Sequence, residues 1–271
     1  MNENEILTEM GKETIKQGYK DIGENMVVPT AKLLGTIPET INALLLPLNQ
    51  WIAERKYKLE ETKKLLAHKL EKVGTANLVP PEAHIAVPAL QYISYCMDNE
   101  ELRDMYANLL ASSMNKVVKN DVHPSYVEII KQLCPDEAKI LKKILETHNW
   151  PLIHIKYFFP DKKGYFYQVR NFSDVGYLAN CEYPYWIARY ISNLERLGLI
   201  EIATLASIVD KTKYLPLEKH KAIASLIQPQ EYKSHGAASF DFERNYFEVT
   251  PFGRAFGKIC ISKDENKLKN A

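Results

Sequence analysis

The sequence predicts a mainly α protein, with helical N-terminal and middle regions followed by a winged-helix-like C-terminal domain with a small β-hairpin. Three observations carry this expectation. Apolar residues recur three and four positions apart along several charged stretches, the pattern of helices that bury one face. Prolines and glycines cluster between those stretches, as at Gly74, Pro80, Pro81 and Pro88. In the last third, a helical stretch ends at Gly198 and runs into Leu199 and Ile200, and a second strand-like run precedes Pro251. Three regions follow: 1–78, helical with an apolar, breaker-rich segment; 79–134, a helical middle domain; and 135–271, the winged-helix-like domain with an insertion in its wing.

Residues 3–24 read as a charged amphipathic helix, with Ile6, Leu7, Met10, Ile15, Tyr19 and Ile22 at approximately helical spacing. Between 27 and 51, short apolar pieces are separated by Gly35, Pro38 and Pro47. A long charged helix follows over 51–73, with Leu59, Leu65, Leu66, Leu70 and Val73 as its apolar stripe and Gly74 as its cap. Beyond the proline-rich break at 78–88, helices are expected at 89–96 and 99–118, the second capped by Asp98 with Glu101 three residues on. Its core stripe is Leu102, Met105, Tyr106, Leu109, Leu110 and Met114. Helices at 126–133 and 136–147 come next, with Pro135 at a position where a missing amide hydrogen costs nothing. Tyr and Phe then cluster over 157–177. A helix over 183–197 leads into a strand at 199–202, and after a Lys-rich insertion a strand at 245–249 precedes a final helix from 251 to about 261.

Composition narrows the function classes. Lys and Arg number 35 against 34 for Asp and Glu, so the whole molecule carries no strong field toward nucleic acid or anionic lipid, and any such binding needs a local patch. The cysteines Cys96, Cys134, Cys181 and Cys260 are far apart, as free thiols in a reducing compartment would be, with no zinc-like spacing. Residues 1–10 lack the basic and apolar regions of a secretory signal, and the prolines and charges within 26–53 argue against a spanning helix. A cytoplasmic location follows, or a peripheral one at the inner membrane. Glycine-rich phosphate loops, metalloprotease histidine pairs and dinucleotide fingerprints are missing, so neither cofactor nor metal nor catalytic residue is expected.

Two surfaces stand out. The helix over 183–197 offers Tyr185, Trp186, Arg189, Asn193 and Arg196 as candidate contacts to protein or nucleic acid. These are too few phosphate contacts to favour DNA, whereas aromatic and Arg side chains are common in protein interfaces. Lys211, Lys213, Lys219, Lys221 and Lys233 in the insertion keep the DNA reading open. In the apolar segment, Leu44, Leu45, Leu48 and Trp51 are candidate membrane contacts, weighed against simple packing as core. His123, beside Asp121 and Ser125, invites an acid–base reading, but a turn that caps the next helix explains the same residues more simply.

Residues 101–114 (ELRDMYANLLASSM), 123–133 (HPSYVEIIKQL), 135–141 (PDEAKIL) and 193–200 (NLERLGLI), in this order, resemble the abortive infection alpha family. The resemblance runs from about Pro80 to Ile261, and Gly35-Thr36-Ile37-Pro38 is similar to the family's N-terminal part. It implies bacterial antiphage defence in which an infected cell stops growing or dies before phage is released, and it carries over no catalytic residues. The leading expectation is thus a non-enzymatic abortive-infection protein acting through contacts with an unidentified protein or phage component, and with a membrane as a second surface. The runner-up is a DNA-binding winged-helix regulator. A hydrolase or nuclease built around His123 ranks last.

Overall fold

The computed structural model describes residues 56–261 apart from 97, 148, 161 and 162. The helices expected over 3–24 and 27–51 lie outside the described residues. The described residues divide into two compact units, one holding those up to Gln132 together with Lys258 to Ile261, the other Leu133–Gly257.

The described residues of the first unit are mainly helical. Helices α1 (Lys56–Val73), α2 (Ala83–Tyr95), α3 (Glu100–Ser113) and α4 (Ser125–Lys131) follow in order. The α3 helix packs against the other three. Its stripe of Leu102, Met105, Tyr106, Leu109 and Leu110 is buried with Leu66 and Leu70 of α1, Ile85, Ala89 and Ile93 of α2, and Ile130 of α4. The apolar spacing dictates that face. The Tyr106 hydroxyl reaches the core with a partner, donating to the Val127 carbonyl at 3.3 Å. Two local details differ from the sequence reading. Asn99, not Asp98, caps α3, its side chain accepting from the Leu102 N–H at 3.0 Å. The α2 helix starts six residues earlier than the expected helix and carries Pro88 as its sixth residue, past the first turn, so the helix continues without the bond that an amide at 88 would give to the His84 carbonyl.

The second unit corrects the winged-helix expectation. After α5 (Pro135–Ile144) the chain forms two long strands, β1 (Asn149–Phe158) and β2 (Tyr165–Phe172). Helices α6 (Val175–Leu178) and α7 (Ile187–Arg196) follow, then β3 (Ile200–Ala203), α8 (Leu215–Glu218), α9 (Pro229–Ser234), β4 (Ser239–Val249) and α10 (Pro251–Cys260), whose residues from Lys258 on belong to the first unit. The strands make one antiparallel sheet in the order β2-β1-β4-β3. A winged helix would pair β3 and β4 as a small hairpin. They do pair, from Ile200 with Val249 to Ala203 with Tyr246, but β4 is eleven residues long and pairs along its other edge with the whole of β1, from Asn149 with Glu248 to Phe158 with Ser239. The sheet therefore organises the unit, and the expected hairpin is only its far edge.

The strand character of β1 lies in its alternation: Ile153, Ile155 and Tyr157 are buried, while His154, Lys156 and Phe158 are half-buried on the opposite face. Pro151 obscures that pattern. It is tolerated because β1 is paired only with β4 at that point, the pairing with β2 beginning at Ile153. The Lys-rich insertion is a folded cover rather than a wing. Its Tyr214, Leu217, Ile223 and Ala237 are buried, and the Tyr157 hydroxyl donates to the Leu226 carbonyl. At the end of α7, Gly198 takes a φ of 71°, which lets the Leu199 N–H reach back to the Leu194 carbonyl at 3.0 Å and turns the chain into β3.

Candidate functional site

The loop between α6 and α7 carries an exposed aromatic cluster. Tyr183 and Trp186 stack with ring centroids 4.7 Å apart and planes 20° apart, Tyr185 stands edge-on to both, and the Arg189 guanidinium lies 5.0 Å from the Trp186 ring centre. Tyr185 is 62% exposed, and Tyr183 and Trp186 are each 38% exposed. Such rings have little reason to face water unless something holds them there.

What holds them is a buried carboxylate. Asp136, at the start of α5, accepts the backbone N–H of Glu182 at 2.9 Å on one oxygen. Its other oxygen accepts the N–H of Tyr183 and the hydroxyl of Tyr190, each at 2.9 Å. Lys139 lies 3.6 Å away. Burial alone would push this carboxyl up, but the Tyr183 and Glu182 N–H groups, the Tyr190 hydroxyl and Lys139 outweigh it and hold the group below the ordinary aspartate value. A second contact fixes the loop sterically. Gly176 lies so close to Pro184 that a Cβ there would sit 3.1 Å from the Pro184 carbonyl oxygen.

The neighbouring Glu137 accepts the Cys134 N–H at 2.8 Å and the Asn193 side-chain amide at 3.0 Å. Here burial wins, and the carboxyl is pushed above the ordinary glutamate value. The Arg196 guanidinium in turn donates twice to the Asn193 oxygen, at 3.0 and 2.7 Å. The residues singled out from sequence thus separate into two groups. Tyr185, Trp186 and Arg189 share the exposed cluster, whereas Asn193 and Arg196 belong to the network around Glu137. Leu44, Leu45, Leu48 and Trp51 lie outside the described residues. Sequence reasoning places Tyr183 and Tyr190 among the aromatic residues of the 183–197 helix without marking them as contacts, and it missed Gly176 and Asp136. Only Glu137 carried a readable signal, an acid three residues after a helix cap.

A family model described as Abortive infection alpha matches residues 54–260. The chain belongs to the abortive infection alpha family. No curated protein matches it. A solved structure, described as that of an uncharacterized protein from the hydrocarbon-degrading marine bacterium Alcanivorax borkumensis SK2, is 19% identical over 51% of this chain and 92% of that chain, with a TM-score of 0.36. That score is too low for a shared fold to be read from it.

In this member of the family, the stretch 101–114 has a second face besides its core stripe. Asp104, Asn108 and Ser112, four residues apart, line up along α3. Asn108 donates to the Cys260 carbonyl at 3.0 Å and Ser112 to the Ile259 carbonyl at 3.2 Å, so the last carbonyls of α10 find partners. Lys69 closes the group, 2.6 Å from Asp104 and from the Asn108 oxygen. In the stretch 123–133, the His123 Nδ1 accepts the Ser125 N–H at 3.1 Å and lies 2.6 Å from the Ser125 hydroxyl, closing a turn at the head of α4. Asp121 pairs with Lys258 at 2.8 Å.

Burial raises all four cysteine thiols, Cys134 to about 11 and Cys181 to about 12, so thiolate chemistry is not favoured near neutrality. Among the described residues, no three His, Cys, Asp or Glu side chains group to hold a metal, and no helix is long and apolar enough to cross a membrane.

Proposed function

We propose that the chain is a non-enzymatic abortive-infection protein that acts by binding another protein, host or phage, through Tyr183, Tyr185, Trp186 and Arg189. The observation that carries this reading is the fixation of an exposed Trp–Tyr–Arg cluster by the buried Asp136. Trp, Tyr and Arg dominate the energetic centres of protein interfaces, and a rigid loop has less conformational freedom to lose on binding. Membership of the family supports the defence role. A DNA-binding regulator loses one of its two supports, the winged helix, and is left with the lysines of the insertion.

The test is a plaque and survival assay in cells expressing wild type or a Tyr185→Ala/Trp186→Ala variant. Both side chains are largely outside the core, so the variant is expected to fold and express normally while protection is lost. Full protection by the folded double variant against every phage that wild type restricts would refute the proposed surface.

A further inference from the structure

Loop 204–210, between β3 and the short turn Lys211–Tyr214, displays the two most exposed large apolar side chains among the described residues. Leu205 is fully exposed and Val209 is 94% exposed. The loop is nevertheless held firmly at both ends. Buried Asn245 donates its side-chain amide to the Ala203 and Thr204 carbonyls at 3.0 and 2.7 Å. Buried Tyr214 accepts the Ile208 N–H at 2.8 Å and donates to the Asn245 carbonyl, also at 2.8 Å. Asp210 accepts the Thr212 N–H and hydroxyl, and Lys211 donates to the Ser207 hydroxyl. The fold thus commits buried polar groups to keeping two aliphatic side chains in water.

We propose that this loop is a contact tip for an anionic lipid bilayer. The charge around it suits that occupant. Lys211 and Lys213 are exposed on the turn that follows, with half-exposed Leu215 beside them, and Lys219 and Lys221 are exposed just beyond α8. The nearby acids are Asp210, engaged by Thr212; Glu218, paired with Arg244; and exposed Glu201 on β3. Aliphatic side chains that enter the headgroup boundary, with lysines against anionic lipids, are the two elements of peripheral membrane binding. Nucleic acid would engage the lysines but gain nothing from Leu205 and Val209. A small aliphatic pair lacks the aromatic and Arg anchors of a protein interface.

The test is flotation of the full-length chain with vesicles of phosphatidylcholine alone and of phosphatidylcholine with phosphatidylglycerol. Wild type is expected to float with the anionic vesicles only. Leu205→Asp/Val209→Asp and Lys211→Glu/Lys213→Glu are each expected to weaken that partition about tenfold, with unchanged melting temperature. Leu205→Cys carrying an environment-sensitive dye should shift to the blue on the anionic vesicles. The proposal is overturned if wild type stays with the soluble fraction in both mixtures, or if it floats equally with both. It is also overturned if Leu45→Asp/Leu48→Asp removes flotation while the loop variants do not. Concentration-dependent self-association that the loop variants abolish, without flotation, would assign the loop to a second copy of the chain instead.

Discussion

Two adjacent carboxyls, Asp136 and Glu137, are both almost fully buried, yet their ionisation is pushed in opposite directions. Each therefore leaves its own mark on stability. Asp136 is held below its ordinary value of 3.8, so its contribution is present above that pH and is lost as pH falls through the lower folded value. Glu137 is raised above 4.5, so its contribution is present below that pH and fades as pH rises through the higher folded value. Asp136→Asn is expected to destabilise the chain by about 1–3 kcal/mol near neutrality, because one acceptor oxygen is replaced by a donor that faces donors. Urea unfolding from pH 3 to 7 should show this loss shrinking toward the acid end. Glu137→Gln keeps an acceptor for Cys134 and Asn193, and in the same titration it should remove the decline above pH 4.5. Equal pH profiles for wild type and both variants would show that the carboxyls titrate alike in the folded and unfolded states. At the same scale, alkylation of Cys134 and Cys181 by iodoacetamide should be slow at pH 7 and accelerate steeply toward their values of about 11 and 12.

Among the elements, α3 has the most distinct division of labour, with one face in the core and a polar row that meets the end of α10. Leu109→Asp places a charge where the side chain is fully buried, and is expected to cost several kcal/mol and unfold the first unit, as read by thermal denaturation. Asn108→Leu should be milder, about 1–3 kcal/mol, since it removes the Asn108 donor from the Cys260 carbonyl and one of the partners of Lys69, which keeps Asp104, without emptying the core. The core face of α3 was legible because helical periodicity reports a single buried side. The polar row was not, because a pairing between residues 108 and 260 leaves no trace in local spacing. Strand β1 was obscured for a related reason. Pro151 interrupts its alternation, and the residues that justify the strand lie in β4. Likewise, Tyr185, Trp186 and Arg189 could be marked as surface residues by type, but the loop that fixes them depends on Asp136, which is distant in the chain.

For the whole molecule, the division into two compact units gives a spatial prediction. Hydrogen exchange in Leu109→Asp should quicken in α1 to α4 and around residues 258–261, while β1 and β4 keep their protection. Uniform loss of protection would mean that the units unfold as one. The sheet order has a kinetic consequence as well. Its two central strands, β1 and β4, are separated by most of the second unit, so the pairing that creates the sheet requires closure of a long loop, and such non-local contacts slow folding. During synthesis β1 leaves the ribosome long before its main partner exists, and β2 can occupy only one of its edges. Until β4 emerges, the nascent chain carries an open strand edge rich in Ile, Tyr and Phe, and the interval of its greatest vulnerability to aggregation is the time taken to translate the insertion between β3 and β4.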